Sequence, residues 1–177
     1  MTKKEQRFYY CPKCGGKLAY RCIKEERPRL VCGTCQYVLY ENPAAGVAAI
    51  VLNAEKQILL GRRAGGKYAG LWCIPCGYVE YDEDVYCAVR REFKEETNLD
   101  IEPVGVFTVQ SNFHDPEKHT VGIWFRARVT GGEPLAGDDL DRVGYFDLSA
   151  PPPLAFPTDR VVIEYLLADI KSLLQVN

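Results

Sequence analysis

The chain has 177 residues, of which 47% are hydrophobic and 26% charged, and its net charge is −2. This length fits one medium domain or one domain with a small appendage, and the composition excludes disordered and fibrous classes. The longest nearly unbroken apolar run, Ala44–Leu52, is short against the ~20 residues of a membrane-spanning helix. The basic residues 1–7 are not followed by the apolar stretch of a signal peptide, so we expect a cytoplasmic protein without a membrane partner.

Charge is distributed unevenly along the chain. Residues 1–39 carry nine Lys/Arg against three Asp/Glu, whereas the remainder carries 13 against 21. Such a split predicts two units with different electrostatic properties. The basic N-terminal unit is either an ordinary solvated surface or a patch for nucleic acid, and the sequence leaves both interpretations open.

Four cysteines predict a metal site in the N-terminal unit. Cys11 and Cys14 form one pair and Cys32 and Cys35 another, with 17 residues between the pairs. Each tight turn can present two thiolates to one tetrahedral ion, and four thiolates leave no coordination position for a substrate. A unit of under ~40 residues buries too little apolar surface to fold alone, so a structural Zn²⁺ would stabilise it. The pattern resembles a zinc ribbon with a hairpin between the pairs.

The chain from residue 41 onward is predicted to form a layered α/β domain that follows a ribbon at 1–40. The predicted strands are Val47–Leu52, Ile58–Gly61, Leu71–Ile74, Val104–Gln110, Val121–Val129 and Val143–Phe146. The predicted helices run over about Glu83–Thr97 and from about Thr158, the latter with Val162, Tyr165, Leu166, Ile170 and Leu173–Leu174 on its apolar side. Cys73 belongs to a predicted buried strand rather than to a second metal site, and Cys87 is predicted to be a small core residue.

The first predicted helix gathers acidic residues on its buried side. At about 100° per residue, Glu92 and Glu96 fall on the same side as Val89 and Phe93, with Glu95 at the edge. Carboxylates about 6 Å apart in a cleft repel by roughly 3 kcal/mol per pair, against a few tenths for exposed neighbours on a helix. These residues therefore form either a solvated helix end or a site for a divalent cation.

The spacing around this helix favours the second interpretation. From Gly77, five residues lead to Glu83 and seven more to the run Arg91-Glu92-Phe93-Lys94-Glu95-Glu96-Thr97-Asn98-Leu99. This resembles the Nudix box, with Phe93 where an aliphatic residue is usual and Asn98 where the box has glycine. Phe93 keeps a core contact, and asparagine tolerates the left-handed cap of a helix better than most residues. We therefore expect an intact box.

The resemblance implies a fold and an activity. The fold would be the Nudix α/β/α sandwich with a mixed sheet, preceded by the small Cys₄ zinc ribbon. The activity would be hydrolysis of a phosphoric anhydride bond in a nucleoside diphosphate linked to another moiety, with Mg²⁺ or Mn²⁺ as cofactor.

In combining a zinc ribbon with a Nudix box, the chain resembles a subgroup of ADP-ribose pyrophosphatases. NADH pyrophosphatases carry Ser-Gln-Pro-Trp-Pro-Phe-Pro downstream of the box, where this chain has Val109-Gln110-Ser111-Asn112-Phe113. The expected substrate is therefore ADP-ribose or a related nucleotide sugar or dinucleotide, ahead of FAD and NADH.

The resemblance also implies roles for individual residues. The metal ligands would be three carboxylates, those of Glu92, Glu95 and Glu96. Arg91 would orient Glu92, the backbone carbonyl of Cys76 or Gly77 would complete the metal's coordination, and Glu83 would support the loop before the helix.

Residues outside the box are assigned from residue type. Members of this family draw the general base from the box or from a later loop, and Asp139 in the acidic loop 137–139 is the loop candidate. Arg62, Arg63 and Phe113 are the candidates for holding a phosphate and stacking a base, and His114 and His119 are the candidates for contacting phosphate or water.

Three functional hypotheses stay open. The first is the pyrophosphohydrolase of a small nucleotide derivative, and the second is an RNA-end (cap) pyrophosphohydrolase that grips its substrate with the basic ribbon. The third is a non-catalytic nucleotide-sensing Nudix module, against which the complete set of carboxylates argues. The ribbon's own role is equally open: it packs on the catalytic unit, forms a homodimer interface or covers the substrate.

Overall fold

The structure, a computed structural model, describes residues 6–22 and 27–175, the last three of them by backbone alone. The chain divides into two compact units, 1–42 and 43–177. The predictions made for residues 1–5 and for the Leu173 and Leu174 side chains lie outside the described residues. Among the helices described, none is long and apolar enough to cross a membrane.

The first unit contains a small antiparallel sheet. Its strands, in sheet order, are β1 (Leu18–Arg21), β2 (Arg29–Cys32) and β3 (Val38–Leu39). The antiparallel pairing of β1 with β2 agrees with the predicted hairpin, of which residues 23–26 lie outside the described part. Among the described residues, Cys11, Leu18, Leu30 and Cys32 form a small buried cluster with Leu39 packed against it, and Val31 is buried as well. So small a core is consistent with a unit that depends on a metal ion.

The second unit is built from two sheets and two helices. Its strands are β4 (Ala44–Val51), β5 (Ile58–Arg63), β6 (Trp72–Cys73), β7 (Cys76–Tyr78), β8 (Asp100–Asn112), β9 (Thr120–Gly131) and β10 (Leu140–Phe146). Its helices are α1 (Val85–Thr97) and α2 (Pro157–Gln175). The larger sheet has the order β7-β4-β9-β8, and the smaller has the order β10-β5-β6. Only β4 and β9 run parallel, so the larger sheet is mixed, as predicted.

Strand β4 lies between the two helical layers. On one face, Val47, Ala49 and Val51 share a core with Val89 and Phe93 of α1. On the other face, Ala48 and Ile50 share a core with Val162, Ile163 and Leu166 of α2. Because both faces are buried, the strand is a nearly continuous apolar run rather than an alternating one. The predicted sandwich of helix, sheet and helix is confirmed.

Several element ends differ from the predictions. The short strand β7 was not predicted, because Cys76–Tyr78 contains no apolar run and its extended backbone depends on pairing with β4. Helix α1 begins two residues after Glu83, because the Asp84 side chain caps it by accepting a hydrogen bond from the Tyr86 N–H at 2.9 Å. The predictions that Cys87 is a core residue and that Tyr165 belongs to the apolar side of α2 are wrong, because both side chains are exposed. Residue 87 lies roughly opposite the buried Val89 around the helix.

The end of α1 has the left-handed geometry expected at Asn98. Asn98 has φ 57°, its N–H donates to the Lys94 carbonyl at 2.8 Å, and its side-chain amide donates to the Glu133 carbonyl at 3.0 Å. We expect Asn98→Ala to lower the free energy of unfolding by about 1–2 kcal/mol, because alanine lacks the amide contact and is strained in this conformation. Asn98→Gly also loses the amide contact but is not strained at this positive φ, so it should destabilise the chain less than Asn98→Ala does. Urea unfolding measures both, and an alanine variant as stable as the glycine variant would contradict the assignment.

Candidate active site

Arg91 joins the start of α1 to the middle of the helix. Its guanidinium donates two hydrogen bonds to Glu83, at 2.8 and 2.7 Å, and further bonds to Glu92 at 2.8 Å and Glu95 at 3.1 Å. It also donates to the Tyr78 carbonyl at 3.1 Å, which ties β7 to the helix. The hydrogen bonds from Arg91 lower the pKa of the Glu83 carboxyl. One arginine therefore fixes the positions of three carboxylates.

Glu92 packs against the backbone of Gly77 in β7. A Cβ atom at position 77 would lie 1.9 Å from the Glu92 Cδ, so this approach is open only to glycine. The Glu92 side chain is 14% exposed, and burial raises its pKa despite the hydrogen bond from Arg91. Because Gly77 has no side chain, it leaves room for the Glu92 carboxylate of α1 beside strand β7.

Glu96 is the most deeply buried of the box carboxylates. The residue is 2% exposed, and its Oε2 accepts a hydrogen bond from the Cys76 N–H at 2.8 Å. Burial raises the pKa of Glu96 well above its usual value, and the nearby charges of Asp139 and Glu92 add to the shift. A buried carboxylate with one hydrogen bond and no cation paired with it among the described residues is unfavourable by itself, so this position favours a bound positive charge.

Glu95 lies at the edge, as the helix angles predicted. Its side chain is 50% exposed, and it forms an ion pair with Arg91 one turn earlier at 3.1 Å. The inward placement of Glu92 and Glu96 is confirmed by their burial. The predicted interaction of Arg91 with Glu92 is confirmed as well, and it is one of three such carboxylate contacts.

The acidic loop 137–139 docks on the C-terminal part of α1. The Gly137 N–H donates to the Glu96 carbonyl at 3.0 Å, and a Cβ at position 137 would lie 2.5 Å from the Glu95 carbonyl oxygen. The close approach again requires glycine, and it brings Asp138 and Asp139 to the same cavity as Glu92 and Glu96. Asp139 pairs through Oδ2 with Arg63 at 2.6 Å, while its Oδ1 is buried without a hydrogen bond among the described residues.

These side chains line a cavity of about 450 Å³ in the second unit. Its acidic lining residues are Glu80, Glu92, Glu96, Asp115, Asp138, Asp139 and Asp159, and its basic lining residues are Arg63 and Lys118. Seven carboxyl groups outnumber two cationic side chains, and the raised pKa values of Glu92, Glu96 and Asp159 reflect the cost of keeping these groups charged without a cation. A polyanionic substrate would therefore need cations to enter it.

Three residues expected from the sequence to contact substrate or water, Arg62, Phe113 and His119, lie outside this lining. Arg62 forms a bidentate ion pair with Asp141 at 2.7 Å, and Arg63 beside it lines the cavity instead, since successive residues of a strand face opposite sides. Phe113 is largely exposed and contacts the ring of His119, and neither residue lines the cavity. His114, one residue further along, does line it.

Several residues of the cavity lining were not predicted from the sequence, among them two aromatic residues and a buried aspartate. Tyr68 lies in a short 3₁₀ turn, Gly66–Tyr68, and Phe156 precedes α2. Asp159, in the first turn of α2, is 2% exposed and accepts a hydrogen bond from the Ile74 N–H at 3.0 Å. Burial raises the pKa of Asp159 to about 7. The sequence signals were weak: an aromatic residue after two glycines and an acidic residue at a helix start are common on surfaces.

The first unit brings its four predicted cysteines together. One sulfur atom from each of Cys11, Cys14, Cys32 and Cys35 lies within 4.8 Å of the other three. The backbone N–H groups of Cys35 and Thr34 donate to the Cys32 sulfur at 3.5 and 3.4 Å and lower the pKa of its thiol to about 6. Four clustered sulfurs with such support fit a tetrahedral zinc site.

Sequence comparison now identifies the family. The sequence profile of the NUDIX domain family matches residues 42–166. The chain belongs to the Nudix hydrolase family. The profile of a second family, the Nudix N-terminal zinc ribbon, matches residues 9–41 of this Nudix hydrolase.

Known Nudix proteins resemble the chain to different extents. An ADP-ribose pyrophosphatase of Methanocaldococcus jannaschii is 38% identical over 132 residues, which cover 74% of this chain and 78% of that protein. An NAD-capped RNA hydrolase, NudC, of Vibrio atlanticus is 29% identical over 172 residues, which cover 94% of this chain and 60% of that protein. A crystal structure of a Nudix hydrolase from Nitrosomonas europaea superposes with a TM-score of 0.76 at 28% identity, covering 90% of this chain and 88% of that one.

Proposed function

We propose that this Nudix hydrolase cleaves the diphosphate of a nucleoside diphosphate linked to another moiety in a Mg²⁺-dependent reaction, with ADP-ribose as the leading candidate. One observation carries the proposal: Glu92 and Glu96 of a single helix line one acidic cavity, Glu96 fully buried and Glu92 partly buried. The 38% identity to a protein named ADP-ribose pyrophosphatase supports the choice of substrate.

The donor set at the cavity fits a hard divalent cation. Carboxylate oxygens are the ligands that Mg²⁺ and Mn²⁺ prefer, and the cavity has too few cationic side chains to neutralise them. We assign the metal to Glu92 and Glu96, which line the cavity, and to the half-exposed Glu95 of the same helix, which is not part of the lining. When bound, the ion would offset charge on the diphosphate and lower the pKa of a water molecule.

The remaining residues of the box position these ligands. Arg91 holds Glu92 and Glu95 by direct hydrogen bonds, and Glu83 holds Arg91 by two more. Gly77 allows Glu92 to reach the sheet edge. Glu83 and Gly77 thus act through other residues rather than on the substrate.

Asp139 is the proposed general base. Its Oδ1 is buried without a hydrogen bond among the described residues, so this oxygen is available to accept a proton from water. Arg63 holds the other oxygen at 2.6 Å and fixes the orientation of the carboxylate.

We further propose a structural Zn²⁺ in a ribbon at 1–40 and a catalytic domain at 41–177. The support is the cluster of four cysteines, whose thiolates would fill every position of a tetrahedral ion. Because no coordination position would remain for a substrate, we propose that the zinc ion stabilises the ribbon and takes no part in catalysis.

A second candidate substrate is an RNA end with a nucleotide cap. The match to the NudC protein spans 172 residues, so it includes the ribbon as well as the catalytic domain. The ribbon exposes Tyr9 and Tyr10, and Arg29 lies 5.1 Å from the ring centroid of Tyr40. Aromatic rings together with cationic side chains suit single-stranded RNA.

A substrate panel tests the proposal. The full chain is incubated with ADP-ribose, NADH, FAD, UDP-sugars and NAD-capped RNA, with Mg²⁺ and without it, and the products are separated by chromatography. We expect AMP and ribose 5-phosphate from ADP-ribose only when Mg²⁺ is present. A higher kcat/KM for capped RNA would favour the second candidate, and no product from any compound would contradict both.

A further inference from the structure

Three aromatic rings form a cluster at the same cavity as the acidic residues. Tyr68 lies 5.3 Å from Phe156 and 5.8 Å from His114, measured between ring centroids, and both pairs meet edge to face. His114 and Phe156 are 5.5 Å apart. All three rings are part of the cavity lining, and we call them the aromatic recess.

The recess is held in place from behind. Tyr68 and Phe156 pack against the buried Cys73, Leu140 and Ala155. The His114 ring is fixed by a hydrogen bond between its Nδ1 and the Asn112 side chain. The rings are only partly buried, so each of them keeps some surface toward the cavity.

Arg63 connects the recess with the acidic loop. Its guanidinium carbon lies 5.9 Å from the Phe156 centroid, and its Nη2 lies 2.6 Å from Asp139. The Arg63 Nε is buried without a hydrogen bond among the described residues. A buried, unused N–H donor between aromatic rings and carboxylates suits an anionic group that links a planar ring to a bound diphosphate.

We propose that the aromatic recess binds the nucleobase of the substrate, with the Arg63 Nε directed at the adjoining phosphate. This inference rests on the proposed function, and it assigns a binding site to the nucleobase of the proposed substrate. A nucleobase is the planar part of a nucleoside diphosphate, and rings such as Tyr68 and Phe156 stack on any base. Phe113, the residue expected from sequence to stack a base, lies outside the cavity lining.

Binding of two small ligands to the full chain tests the inference. AMP carries a base and ribose 5-phosphate lacks one, so isothermal titration calorimetry of both isolates the contribution of the base. We expect Tyr68→Leu and Phe156→Leu each to weaken AMP by about 5-fold or more and to leave ribose 5-phosphate within about twofold. Tyr68→Phe keeps the ring and should bind AMP within about twofold of the parent chain.

A matched control and thermal unfolding separate binding from folding. Tyr165→Leu removes an exposed tyrosine of α2 that does not line the cavity, and it should change neither ligand's affinity. The inference is overturned if both leucine variants bind AMP as the parent chain does, if they lose AMP and ribose 5-phosphate equally, or if the parent chain does not bind AMP. The two proposals can also fail separately. If the chain hydrolyses none of the panel compounds but AMP binding still depends on Tyr68, the proposed activity is rejected and the base-binding role of the aromatic recess is retained.

Discussion

Replacing Glu96 with glutamine is expected to reduce hydrolysis by at least about 100-fold and to stabilise the metal-free protein. The activity falls because a neutral amide is a poor ligand for Mg²⁺, whose contribution to the transition state is several kcal/mol. The stability rises, on the order of 1 kcal/mol or more, because glutamine removes a buried charge while its carbonyl can still accept the Cys76 N–H. The two effects have opposite signs, which a purely structural role for Glu96 does not predict.

Activity assays and thermal unfolding without Mg²⁺ measure these two effects. Glu164→Gln on α2 is the matched control, since Glu164 is exposed and does not line the cavity. The control should change neither quantity. A Glu96→Gln variant that is both fully active and no more stable would show that Glu96 neither binds the metal nor carries a buried charge.

Removal of zinc is expected to unfold the first unit and to leave the second folded. In the described part of the ribbon, the buried hydrophobic residues are two leucines, one valine and two of the four clustered cysteines, whereas zinc binding in small domains contributes about 10–16 kcal/mol. The second unit has two cores of its own, one on each side of β4. We therefore expect Cys32→Ser to abolish the binding of one zinc ion per chain and to remove amide protection from residues 9–22.

Hydrogen exchange read by mass spectrometry follows each unit separately. Cys22→Ser is the control, because Cys22 is exposed and is not one of the four clustered cysteines. Its zinc content and exchange should match those of the parent chain. Full protection of residues 9–22 in the zinc-free Cys32→Ser variant would contradict a structural role for the metal.

The arrangement of acidic residues on helix α1 could be predicted from the sequence because it depends on local geometry. The angle between successive helical residues is fixed, so the positions of Glu92, Glu95 and Glu96 follow from spacing once the helix is assigned. The left-handed cap at Asn98 is equally local, because few side chains tolerate that conformation. The cysteine pairs also follow a local rule, since each pair occupies one turn.

Contacts between distant segments were not predictable in the same way. Whether Arg62 or Arg63 faces the cavity depends on the pairing of β5 with β10. This pairing joins segments that are distant in the sequence, so it cannot be inferred from the neighbours of the two arginines. The aromatic recess joins Tyr68, His114 and Phe156, which belong to three separate segments. Asp159 looks like an ordinary first-turn residue, and only the packing of α2 against Ile74 buries it.

Direct titration with Mn²⁺, followed by electron paramagnetic resonance, tests whether a divalent ion belongs at the carboxylates of α1. The parent chain and the Glu164→Gln control should bind Mn²⁺ with equal affinity, and Mg²⁺ should compete for the site. The double variant Glu92→Gln/Glu96→Gln should weaken Mn²⁺ binding by at least about 100-fold, since both buried ligands lose their charge. Equal Mn²⁺ affinity in the double variant and the parent chain would contradict the proposed metal site and the hydrolytic mechanism that depends on it.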